Sequence, residues 1–370
     1  MPVVIPKKRS AWIVALAAGS LLWTSGVAHA DKPVGSDTNP SPGDEAKGDA
    51  DNRTLLASVS QSRIRVTRSD GRTEQGSMDE LTSVDPNWEP PVCWYEPVFT
   101  PTGLKAAVEN LEREGGLGAV NAHEWWSAGL FVDHYDKAEE QDNFDLDSPA
   151  NSTAPGYRNY NLGKQGMFWR SVVRKGHEDD IRAWDCGRIM FWQDAGTIPD
   201  DEHAPTPETL AAYAYDKIKV PRTEIELKPA ARSTVNLPTW VWLDKATFKD
   251  VTVRAELPHT GLWAETTAKP IALHLDPGTK DAETYPASGD CEISADGSIG
   301  TPYTRGSAEK TPPCGIHYLR ASGGEPYRLT ASITWEISWE GTGGARGDLP
   351  DGTFETTQDM TVQEIQSINR

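Results

Sequence analysis

From residue 222 onward, apolar and polar residues alternate in short runs separated by turn residues. The spacing predicts strands over 222–228, 239–243, 249–257, 262–268, 270–275, 314–321, 326–340 and 353–366. Strands at intervals of about ten residues with turn punctuation point to a β-sandwich. The run Ile333-Thr334-Trp335-Glu336-Ile337-Ser338-Trp339-Glu340 carries the pattern best. Its Ile and Trp residues take one face and its polar residues the other. Trp240 and Trp242 share one face of their run while Val241 and Leu243 take the other, so that strand is expected to be central and buried on both sides.

Upstream the pattern is mixed. The Pro-bounded run Val92-Cys93-Trp94-Tyr95-Glu96-Pro97-Val98-Phe99 reads as a strand at a sheet edge. Thr100 or Thr102 is placed to cap a helix that runs to about Glu114 and stops at Gly115-Gly116. Leu104, Ala107, Val108 and Leu111 give it an i, i+3, i+4, i+7 face. A second helix is expected within 121–141, a polar loop over 142–166, and strands over 167–175 and 188–193. Thr206 followed by Pro207 opens the clearest helix, over 206–219, and Val220-Pro221 stops it. Residues 58–70 have the pattern for one short strand, and 71–89 are polar.

The first thirty residues follow another pattern. Lys7, Lys8 and Arg9 precede an apolar stretch from Ala11 to Trp23, and Ala28-His29-Ala30 forms a small-x-small site. This is the arrangement of a cleaved secretory signal peptide. No anchor is expected after cleavage. Residues 31–57 hold almost no large apolar side chain and cannot offset the entropy of ordering.

The expected organisation is therefore a signal peptide over 1–30 and a disordered or weakly structured spacer over 31–87. An α+β, Trp-rich module follows over 88–220, and an all-β immunoglobulin-like sandwich over 221–370.

Composition narrows the function. The chain has 370 residues with 36 Lys+Arg against 55 Asp+Glu, a formal charge of −19 that opposes nucleic-acid binding. A mean hydropathy of −0.56 excludes a polytopic membrane protein. The four cysteines, an even number, read as two disulfides in an exported chain. The pairs Cys93–Cys186 and Cys291–Cys314 are favoured, since each then stays within one expected domain. Metal ligation would want a C-x-x-C spacing with nearby histidines, and none exists.

The segment Leu237-Pro238-Thr239-Trp240-Val241-Trp242, the Cys291…Cys314 pair and the Tyr327…Ile333-Thr334-Trp335…Trp339 strand carry a resemblance. Over roughly residues 205–370 the chain is similar to secreted actinobacterial proteins of unknown function. The C-terminal part of that group is similar to PKD-type, immunoglobulin-like sandwiches. The resemblance implies fold, secretion and a Gram-positive envelope location, and no defined activity.

Motifs that carry chemistry are few. No Gly-x4-Gly-Lys-Ser/Thr string, Gly-x-Gly-x-x-Gly turn or Gly-x-Ser-x-Gly elbow exists. No nucleotide and no cofactor is expected. Glu124, Trp125 and Trp126, with Asp133 downstream, place acids beside aromatic rings, which glycoside chemistry uses. Asp142, Asp145 and Asp147 are read as a solvated acidic loop in preference to a calcium site, and Arg346-Gly347-Asp348 as a hairpin turn.

The expectation is a secreted, non-catalytic interaction protein of the cell envelope or extracellular space, with an envelope protein or glycan as partner. The alternative is a carbohydrate binder or glycoside hydrolase using residues 120–147.

Overall fold

The computed structural model describes residues 62–68, 78–115, 132–142, 153–188, 190–221, 225–243, 249–294 and 296–365. The described chain is mostly β-sheet, arranged as several largely antiparallel sheets.

The alternating segments build an eight-stranded sheet. Its path runs Arg65–Arg68, Val251–Leu257, Leu262–Asp276, Tyr327–Gly341, Arg346–Gln363 and Arg232–Thr234. Asp290–Glu292 adds to Leu262–Asp276, and Thr82–Ser83 adds to Arg346–Gln363. All these pairs are antiparallel except that of Arg232–Thr234 with Arg346–Gln363. A five-stranded sheet runs Glu226–Lys228, Pro238–Leu243, Gly315–Tyr318 and Ala282–Tyr285, with Ile299–Gly300 also on Pro238–Leu243. Pro238–Leu243 is thus central, as its two apolar faces require. Trp240 is buried on the side where Tyr303 lies edge-on at 5.9 Å.

The long strands serve two partners on one face. Leu273, Leu275, Leu329, Ala331, Met360 and Val362 meet Val241, Leu243, Ile316 and Tyr318 of the five-stranded sheet in one core. At the other end, Val253, Ala255, Ala264 and Ala268 meet Leu210, Ala211 and Ala214 of the helix Pro207–Tyr215. Alanine faces alanine, which lets helix and sheet approach closely. Thr206 caps that helix by accepting the Thr209 N–H at 3.0 Å, and Pro207 occupies its first turn.

The smaller antiparallel sheet runs Cys93–Phe99, Gly166–Val173 and Phe191–Asp194, with Cys93–Phe99 at the edge. The ladder shifts between Pro97 and Phe99, where the proline supplies no N–H. The helix Pro101–Gly115 follows, capped by Thr100, whose Oγ1 accepts the Gly103 N–H at 3.1 Å. Leu104, Ala107 and Val108 bury its expected face against Phe168, Tyr135 and Tyr160.

Three expectations change. The core does not divide at residue 220: Trp94, Val172 and the helix Pro207–Tyr215 share one cluster with the strands beyond 225. The helix buries Ala and Leu, and the surface that accepts them is the large sheet. Residues 82–83, placed in the spacer, form a strand of that sheet, and residues 65–68 form the short strand that 58–70 was expected to supply. Arg346-Gly347-Asp348 is not the hairpin turn. The turn is Thr342–Gly344, and Arg346 and Asp348 pair with Glu340 and Ser338.

Candidate functional site

The outer face of the large sheet is built by the same alternation that builds its core. In Leu262–Asp276, Ala264, Thr266 and Ala268 point inward, so Trp263, Glu265, Thr267 and Lys269 point outward. Register then lines up rows across the strands. Arg254 stands opposite Glu265, Glu265 opposite Glu340, and Glu340 opposite Arg346. Two carboxylates side by side would repel; here each has a guanidinium on its far side. Arg254 Nη1 lies 4.0 Å from Glu265 Oε2, and its guanidinium stacks 4.0 Å from the Trp263 ring centre. The next row is hydroxyl, with Thr252 Oγ1 3.0 Å from Thr267 Oγ1 and Ser338 beyond. Lys269 and Glu336 form a third row. A shallow depression of about 340 Å³ runs over these rows, lined by Asp250, Glu265, Lys269, Glu336, Glu340 and Arg346 among others.

A second cleft, of about 570 Å³, opens where the far end of Leu262–Asp276 meets Ala282–Tyr285. His274 Nδ1 lies 2.7 Å from Asp290 Oδ1, and Glu283 Oε2 lies 3.6 Å from His317 Nδ1. Tyr285 lies nearly parallel to the His317 ring, 6.4 Å away. Histidines and carboxylates meet here in pairs, not in threes.

Glu124, Trp125 and Trp126 lie outside the described residues, as do Asp145 and Asp147. Asp133 lies on a short helical stretch at the surface, where its carboxylate takes Lys137 Nζ at 2.7 Å. That bond offers no support for a catalytic acid. The adjacent His134 is fully buried between tyrosines, with Nδ1 2.8 Å from the Glu139 carbonyl oxygen. Burial pulls its pKa down, outweighing the bond to Glu139.

Both expected disulfides form, Cys93–Cys186 with Cα atoms 6.1 Å apart and Cys291–Cys314 with Cα atoms 5.4 Å apart. Beside the first lies His203, which sequence spacing did not bring forward. Its nitrogen and the two sulfurs lie within 4.8 Å of one another.

Glu96 also escaped the sequence reading, because it sits in an apolar run. It is fully buried. Its carboxylate accepts Ser62 Oγ at 2.7 Å, the Arg63 N–H at 2.6 Å and Trp94 Nε1 at 2.6 Å. Burial raises its pKa more than these donors lower it. The carboxylate ties the chain before the strand Arg65–Arg68 to the edge of the small sheet, a structural task.

No protein-family model, curated protein or solved structure matches the chain.

Proposed function

We propose that the chain is an exported, non-catalytic binding protein of the cell envelope or extracellular space. In this reading the outer face of the large sheet is its contact surface and an extended envelope glycan its ligand. The observation that carries the proposal is the ordered set of rows on that face. Arg254–Glu265–Glu340–Arg346, Thr252–Thr267–Ser338 and Lys269–Glu336 present charge and hydroxyl groups on a rigid support, with Trp263 at the margin. Hydroxyls and carboxylates match the hydroxyl and amino groups of a glycan, and rows that cross several strands suit a linear polymer.

Other features support the setting. Two disulfides suit an oxidising compartment. The leader has the residue pattern of a signal peptide. Among the described residues no helix is long and apolar enough to cross a membrane. The finer fold reading, an α+β N-terminal part followed by an immunoglobulin-like sandwich related to the actinobacterial group, belongs to the same proposal.

The test is co-sedimentation of the protein with purified Gram-positive cell-wall glycan. The Glu265→Lys, Glu340→Lys double variant should lose at least tenfold in affinity while its thermal transition stays within a few degrees of wild type. Undiminished binding by that variant, or no binding by wild type, would sink the proposal.

A further inference from the structure

His203 stands beside a disulfide for reasons that the covalent bond does not need. Cys93 opens the strand Cys93–Phe99, Cys186 follows the 3-10 turn Ile181–Trp184, and His203 lies in the turn ahead of the helix Pro207–Tyr215. The Tyr95 N–H donates to the His203 carbonyl oxygen at 3.2 Å, pinning that turn to the strand two residues from Cys93. Asp201 braces the turn from behind. Its Oδ1 accepts the His203 N–H at 2.9 Å and lies 3.6 Å from His203 Nδ1, while Oδ2 takes Arg188 Nη1 at 3.1 Å. Asp201 thus fixes the backbone that carries the imidazole and sets a negative charge near its ring.

A tetrahedral ion sets the spacing that the ligand atoms must reach. Bonds of about 2.3 Å to sulfur and about 2.0 Å to nitrogen place ligand atoms roughly 3.5–3.8 Å apart. The two sulfurs and the His203 nitrogen already lie within 4.8 Å of one another. Opening the S–S bond moves the sulfurs toward that spacing.

We propose that reduction of Cys93–Cys186 creates a binding site for zinc or a similar divalent ion, with two thiolates and His203 as ligands and a water in the fourth position. A dithiol reductant supplies two electrons and two protons. The S–S bond breaks, the reductant closes its own disulfide, and Cys93 and Cys186 become thiols. Each thiol gives up its proton as the metal binds, so two protons leave per ion, and neutral His203 donates a lone pair. Thiolate and imidazole ligands select zinc over magnesium or calcium. The segments of Cys93 and Cys186 are then held together in either redox state, by a covalent bond in one and by an ion shared with His203 in the other. The proposal does not depend on the glycan reading.

Cys291–Cys314 is an internal control, since among the described residues no histidine or carboxylate completes a group with that pair. The full chain is reduced, freed of reductant under nitrogen and titrated with cobalt(II). A thiolate-to-cobalt charge-transfer absorption should saturate at one ion per chain and be missing from the oxidised protein. In a second arm the reduced protein is alkylated with iodoacetamide, with and without zinc, and its peptides are weighed. Zinc should slow modification of Cys93 and Cys186 by about tenfold or more and leave Cys291 and Cys314 unchanged. His203→Gln should weaken cobalt binding by about tenfold or more. A missing charge-transfer band, equal protection of all four cysteines, or unaltered affinity in His203→Gln would each overturn the proposal.

Discussion

The Thr266 hydroxyl donates to the carbonyl oxygen of Ala211 at 3.0 Å, a buried bond from the large sheet to the backbone of the helix Pro207–Tyr215. A strand side chain as short as threonine reaches a helix backbone only where both surfaces are small, and Ala264 and Ala268 flank it in the strand. Thr266→Val keeps the shape and removes the donor, so it should cost about 1 kcal/mol. Ala268→Leu inserts volume where none is free and should cost about 1–3 kcal/mol or more. Urea denaturation of both variants checks the order; an Ala268→Leu protein as stable as wild type would contradict the close approach.

Gly341 marks the same contact at its other end. A Cβ built there would lie 2.9 Å from Pro207 Cβ and 2.7 Å from the Trp263 carbonyl oxygen. The backbone at Gly341 is extended, so the requirement is for space and not for conformation. Gly341→Ala should lower stability by about 1–3 kcal/mol, and hydrogen exchange should quicken first in the helix Pro207–Tyr215.

Glu96→Gln replaces an all-acceptor carboxylate with an amide whose NH2 must face a donor. At neutral pH the loss should be about 1–3 kcal/mol. The pH dependence has a definite sign. Burial raises the folded-state pKa, so the folded chain holds this proton more tightly than the unfolded one. The contribution is complete below the unfolded value of about 4.3 and is lost as pH rises through the higher folded value. The stability gap between wild type and Glu96→Gln should therefore be widest near the acid end of that window and narrow as pH rises. Urea titrations across the window measure it, and a gap that widened with pH would refute the assignment.

Each disulfide closes a loop, of 93 residues for Cys93–Cys186 and 23 for Cys291–Cys314. Loop entropy assigns them about 4.7 and about 3.5 kcal/mol. Cys291→Ser with Cys314→Ser should lower the thermal midpoint by less than the corresponding change at Cys93 and Cys186, as read by differential scanning calorimetry.

Much of this fold was legible in local pattern, and the rest depended on distant partners. The run Ile333 to Glu340 announced its strand because half of it faces the core. Thr206-Pro207 announced the helix because cap and first turn are set by neighbours in sequence. Leu262–Asp276 was read as two strands because Pro270 looks like a boundary. The strand instead passes through it, with a register shift between Pro270 and Ala272. The buried alanines of the helix Pro207–Tyr215 name no partner in sequence; Ala255, Ala264 and Ala268 do so only once folded. Glu96 depends on donors more than thirty residues upstream, and His203 reaches Cys93 across 110 positions. No window of sequence contains either pair. Outer-face rows are legible only when register is known, since Arg254, Glu265, Glu340 and Arg346 come from four strands.

The four-residue ladder Arg65–Arg68, joined to Val251–Leu257 just after the Glu96 anchor, gives the molecule a mechanical direction. Among the described residues, tension from the N-terminal side meets the Glu96 anchor and then this strand, at one edge of the large sheet. It loads the two hydrogen bonds from Ser62 and Arg63 to the buried Glu96 carboxylate and one short ladder before it reaches the long central strands. Those parts act as a fuse: under pull they would part first, release slack and spare the long central strands of the sheet.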